Sequence, residues 1–91
     1  MLPVVWLDSA ADDLKIIIEF IAERNPVAAA KLASQLIDDA DRLSFMPSIY
    51  RHGRVAGTHE LVSHPNYIIV FRTTLAAVEI LAVLHSRQQY P

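Results

Sequence analysis

The chain has 91 residues, 53% of them hydrophobic and 20% charged, with a net charge of −2 and a mean hydropathy of +0.28. That length holds one domain (residues 1–91), and that composition excludes disorder and implies either apolar surface left for a partner or a dense core of Ala, Leu and Ile. The absence of cysteine excludes disulfides, thiolate catalysis and cysteine-based zinc sites.

Pro3 to Leu7 forms a short β-rich opening that ends at Asp8. Ser9 to Asp12 has the spacing of a capping box, in which the Ser9 hydroxyl accepts from the Asp12 amide. Ala10, Leu14, Ile17, Ile18 and Ile21 then repeat along one helical face, with Asp12, Asp13, Lys15, Glu19 and Glu23 largely off it. Arg24-Asn25-Pro26 closes this helix and opens the next, since proline suits the first helical position with Asn25 as its cap. Ala29, Leu32, Ala33, Leu36, Ile37, Ala40 and Leu43 renew the apolar stripe until Pro47. A junction this short folds the two helices into an antiparallel pair.

Pro47 to Gly53 reads as a loop, and the latter part of the stretch from Arg54 to Val62 as a strand. His64-Pro65-Asn66 is a turn signal. Two β-branched and aromatic runs, Asn66–Thr73 and Ala77–Leu84, flank a short connection and form a hairpin. The second run is apolar almost throughout, which places it inside a sheet. The order of strand, two helices and three strands predicts an α+β fold: an antiparallel helix hairpin packed on one face of a small antiparallel β-sheet. One helix pair covers one face, so the other is expected to be open to a partner.

Charge divides along the chain. Residues 1–45 carry Lys15, Arg24, Lys31 and Arg42 against eight carboxylates, whereas residues 46–91 carry Arg51, Arg54, Arg72 and Arg87 against Glu60 and Glu79, with all four histidines. An acidic front and a basic back imply either two surfaces with different partners or no more than ordinary solvated helices. His59 and His64, five apart, fall on opposite faces of a regular strand, so no metal is expected; nor is any cofactor, because the phosphate-cradling glycine loops are missing. Acid–base chemistry on a phosphodiester has residues of the right type in His85, Arg87, Arg72 and Tyr90, with His85 and Arg87 sharing a face if the strand continues past Leu84. The competing reading is that His85 and Arg87 satisfy the chain end or meet a partner's carboxylates. No stretch is long and apolar enough to span a membrane, no signal peptide is visible, and the cytoplasm is the expected location.

The capped opening helix, Asn25-Pro26, Phe45-Met46-Pro47, the segment Gly53 to Gly57, His64-Pro65-Asn66-Tyr67-Ile68-Ile69 and the ending from Val83 to Pro91 together resemble the ParE branch of the RelE/ParE toxin superfamily. The resemblance spans essentially the whole chain. It implies a toxin of a type II toxin–antitoxin pair, a helix hairpin on an antiparallel sheet, a ParD-like antitoxin as partner and DNA gyrase as target. Specific binding to nucleic acid is not expected. RelE-type relatives instead cut mRNA on the ribosome with basic residues on the sheet. Here the strand from Tyr67 continues as Ile68, Ile69 and Val70, and residues 46–91 contain no lysine, so a cationic cleavage site is short of charge. The surface expected to meet target or antitoxin is the C-terminal edge of the sheet: Arg72, His85, Arg87 and Tyr90, with Arg51 and Arg54 nearby.

Overall fold

The computed structural model describes residues 1–45 and 47–88. The chain forms β1 (Val4–Trp6), α1 (Asp8–Ala22), α2 (Pro26–Arg42), a single 3-10 turn (Pro47–Ile49), β2 (Arg51–His52), β3 (His59–His64), β4 (Tyr67–Thr73) and β5 (Val78–His85). The strands lie in the order β1-β5-β4-β3-β2. The expected α+β architecture is present, and β5 is an interior strand as its apolar run required.

The sheet is mixed and not wholly antiparallel. β2 to β5 alternate in direction, but β1 pairs with β5 in parallel, Val4 opposite Val78 and Trp6 opposite Ile80. A single residue, Leu7, separates β1 from α1, and α1 continues alongside β5 in the same sense. Ser9 meets Leu81, Asp13 meets Val83, and Ile17 and Phe20 lie beside His85. The direction of β1 is set by this continuation, and a three-residue strand carries no local signal of it.

The helix hairpin forms as the sequence dictates. Asn25 caps α2, its Oδ1 accepting from the Ala28 amide at 3.0 Å, with Pro26 in the first turn. The α1 stripe begins at buried Ala10, and Leu14, Ile17, Ile18 and Ile21 pack onto the core. From α2 come Leu32, Leu36, Ala40 and, just past its end, Leu43; Ile37 falls outside the buried stripe. They meet Ile69, Phe71, Val78, Ile80 and Val83 of the sheet. The capping box is not formed: α1 starts two residues earlier, at Asp8, Leu7 precedes it without a side-chain cap, and the Ser9 hydroxyl donates to the Leu81 carbonyl at 2.7 Å. A bond to β5 takes the place of a bond within the helix.

The far face of the sheet is not the open surface expected. Ile68, Val70 and Leu84 form a second cluster with Leu81 and Ala82, and Ile68 and Val70 are each only 4% exposed. Around it run Arg51 with Glu60 and Arg72 with Glu79, paired across neighbouring strands. Arg54 donates to the backbone carbonyl of Gln88 at 3.3 Å, tying the loop after β2 to the segment after β5. The chain covers the middle of this face itself.

Candidate interaction site

The site is assembled where α1 outruns β1. β1 pairs with β5 only as far as Ile80, while β5 continues to His85, so the backbone of β5 beyond Ile80 has no strand on that side. Such groups must find partners where they are buried. Side chains of α1 supply them: Ser9 donates to the Leu81 carbonyl, and the Asp13 carboxylate accepts from the Val83 amide at 3.1 Å. Serine and aspartate four residues apart share one helical face, and that face lies against the strand.

One turn further along, the helix and the sheet separate. Asp13, Ile16, Ile17 and Phe20 form one wall of a groove of about 350 Å³; Tyr67, Val83, His85 and Gln88 form the other. Ile16 is 66% exposed and Phe20 59%, so two large apolar side chains four residues apart stand in water beside an apolar cleft. Arg24 lies over the Phe20 ring, 5.6 Å from its centroid. Tyr67 packs edge-on to His85, with centroids 5.5 Å apart. His85 is fixed by its neighbours: its Nδ1 accepts from the Arg87 amide at 3.1 Å, and its backbone closes a turn with Gln88. In a neutral ring so bonded the proton sits on Nε2, which makes it a hydrogen-bond donor.

The other residues expected at the site are distributed more widely. β5 ends at His85 and a turn follows, so Arg87 does not share a strand face with His85; the turn replaces the extension on which that parity rested. Arg72 bonds Glu79 through Nε at 2.6 Å, and Tyr67, not Arg72, lies opposite His85. Arg72 and the His85 position are therefore five residues apart along β4, on the order of 17 Å. Arg51 holds the Glu60 carboxylate at 2.9 Å from both Nε and Nη2. Arg54 reaches Gln88 and so approaches the turn carrying Arg87. Tyr90 lies outside the described residues.

A register shift in β3 between Val62 and His64 sets His64 opposite Tyr67 and His59 opposite Phe71, on one face of β4 and not on opposite faces. His59 stacks on Phe71 and adjoins His52, with centroids 5.7 and 4.8 Å away. Among the described residues no three histidine or carboxylate side chains come together as a metal cluster.

Ile16, Phe20, Asp13 and Gln88 were not singled out from sequence. A signal for two of them was there: Ile16 and Phe20 are large, apolar, four apart and outside the stripe that Ala10, Leu14, Ile17, Ile18 and Ile21 define.

The chain is thus a helix hairpin laid on a mixed sheet, with a groove between its first helix and the last two strands, β4 and β5. The family profile described as "ParE toxin of type II toxin-antitoxin system, parDE" matches residues 4–90, and the chain belongs to that family. It is 37% identical over 87 residues to Y4kP, a candidate toxin of Sinorhizobium fredii, covering 94% of this chain and 90% of that one. It is 34% identical over 88 residues to toxin RelE2 of Caulobacter vibrioides, covering 94% and 97%. Among solved structures, the chromosomal ParDE toxin–antitoxin system from P. aeruginosa superimposes with a TM-score of 0.83 over 93% of this chain and 96% of that one. At 20% identity that likeness speaks for the fold.

Proposed function

We propose that this toxin acts in the cytoplasm by binding DNA gyrase, performs no chemistry of its own, and is neutralised by a ParD-like antitoxin. The observation that carries the reading is the scattering of the groups that phosphodiester cleavage would need. Cleavage without a metal requires an acid, a base and a cation around one phosphate. Here Arg72 is bound to Glu79 at one end of β4 and β5, while His85 and Arg87 lie at the other. Arg51 is bound to Glu60, and the His85 Nδ1 is occupied by the Arg87 amide. These contacts suit a surface that recognises protein better than one that turns over RNA. The apolar groove beside α1 supports a protein segment as occupant, and membership of the toxin family supports an antitoxin as its source.

The reading is tested by adding the purified protein to two assays in parallel, supercoiling by gyrase and cleavage of ribosome-bound message. Accumulated DNA breaks with intact message are expected. Message cut at defined positions, with supercoiling unaffected, would overturn it.

A further inference from the structure

The sequence places the surface that meets target or antitoxin at the arginines of the sheet, and arginines call for a partner's carboxylates. The structure points to the reverse polarity. Arg51 and Arg72 already have carboxylate partners within the chain, Glu60 and Glu79, at 2.9 and 2.6 Å. The exposed apolar surface lies instead on α1, and its flank is anionic. At 100° per residue, Asp12, Glu19 and Glu23 all fall within about 60° of Ile16, on the side turned away from Ile17 and the core. All three are exposed. On the helix side the basic residues are Lys15, held loosely by Glu19 at 4.0 Å, and Arg24, which lies over Phe20; Arg54 and Arg87 stand at the opposite wall, beside Gln88.

We propose that the α1 groove takes an amphipathic segment of the antitoxin whose apolar side chains pack on Ile16 and Phe20 and whose outer flank is basic, its lysines or arginines facing Asp12, Glu19 and Glu23. This rests on the reading of the chain as a toxin held by an antitoxin in that groove, and adds the anchoring side chains and the sign of the contact. A segment with carboxylates on that flank would set like charges against one another, which opposes docking. An apolar anchor with a basic flank gains burial in the groove and attraction at its rim. Specificity then comes from the rim and grip from the groove.

The test measures dissociation of the intact toxin from the product of the reading frame beside its gene, at low and high salt. The triple variant Asp12→Lys, Glu19→Lys, Glu23→Lys is expected to bind about tenfold more weakly or worse at low salt, with the difference shrinking as salt screens it. Asp38→Lys with Asp41→Lys, on exposed positions of α2, is the control and should change binding by less than about twofold. Phe20→Ala should weaken binding by roughly tenfold or more at any salt. Unchanged or tighter binding by the triple variant overturns the proposed polarity, and no effect of Phe20→Ala overturns the seat. If the two proteins form no complex at all, the antitoxin reading itself falls, an outcome distinct from either. All these positions are exposed, in α1, in α2 or, for Glu23, just past the end of α1, and unaltered melting of each variant confirms that folding is not what changed.

Discussion

Replacing Asp13 by alanine removes the acceptor that α1 offers to β5. The Val83 amide it serves belongs to a residue only 2% exposed while Asp13 stands over it. Hydrogen bonds to charged groups contribute about 1.5–3 kcal/mol, and a buried donor left alone costs about 1–3 kcal/mol. A loss of about 2 kcal/mol follows. For a domain of this size each kcal/mol lowers the melting temperature by about 4–8 °C, so Asp13→Ala should melt about 8–16 °C below the parent. Urea unfolding should show the same loss with an unchanged slope. Asp13→Asn keeps an oxygen in place and should restore at least half of it. Ser9→Ala removes only a donor to the Leu81 carbonyl, on a half-buried residue, and should cost about 1 kcal/mol or less. In native-state exchange the Val83 amide should lose protection first in Asp13→Ala. A shift below about 2 °C for that variant, or equal damage from alanine and asparagine, would refute the idea that α1 completes the edge of β5.

Leu36, fully buried between the α2 stripe and the sheet, should lose about 2–5 kcal/mol on truncation to alanine, a large share of the roughly 5–14 kcal/mol expected for a chain of this length. Its urea midpoint should fall accordingly. Asn25→Ala should cost about 1 kcal/mol and Asn25→Gly only a few tenths, read from thermal melts, because glycine is tolerated as a cap where alanine is not. Phe20→Ser should move the melting temperature by less than about 3 °C, in contrast to any core aromatic, since most of that ring is already in water.

The helices were legible because their information is local. Asn25-Pro26 and the two apolar stripes need only neighbours along the chain, and the β4–β5 hairpin announces itself through two β-branched and aromatic runs around a short connection, where the Thr74 hydroxyl accepts from the Ala76 and Ala77 amides. What escaped was set by contacts far apart in sequence. Ser9 has the right spacing for a capping box, yet its hydroxyl serves Leu81, 72 residues away. The strand parity applied to His59 and His64 failed at a single extra residue, and that applied to His85 and Arg87 failed at a turn. The arginines were correctly seen as a group in composition. Glu60 and Glu79, the partners of Arg51 and Arg72, lie across strand pairings that no periodicity reveals, and the exposed flank of α1 beside the groove is acidic.

The parallel ladder between β1 and β5 also bears on how truncations are to be interpreted. Val4 finds its partner in Val78 and the Pro3 carbonyl its donor in the Val78 amide, so the first strand of the molecule has nothing to pair with until almost the last has been synthesised. Closing so long a loop is the slow, late event in such a topology. A chain cut anywhere before β5 is deprived of Ile80 and Val83 beneath its helices as well as of the neighbour of β1, and should fail to fold. Nonsense alleles that abolish toxicity by stopping within residues 66–80 therefore report on assembly of the sheet, and mapping of target contacts belongs to point substitutions on the finished surface.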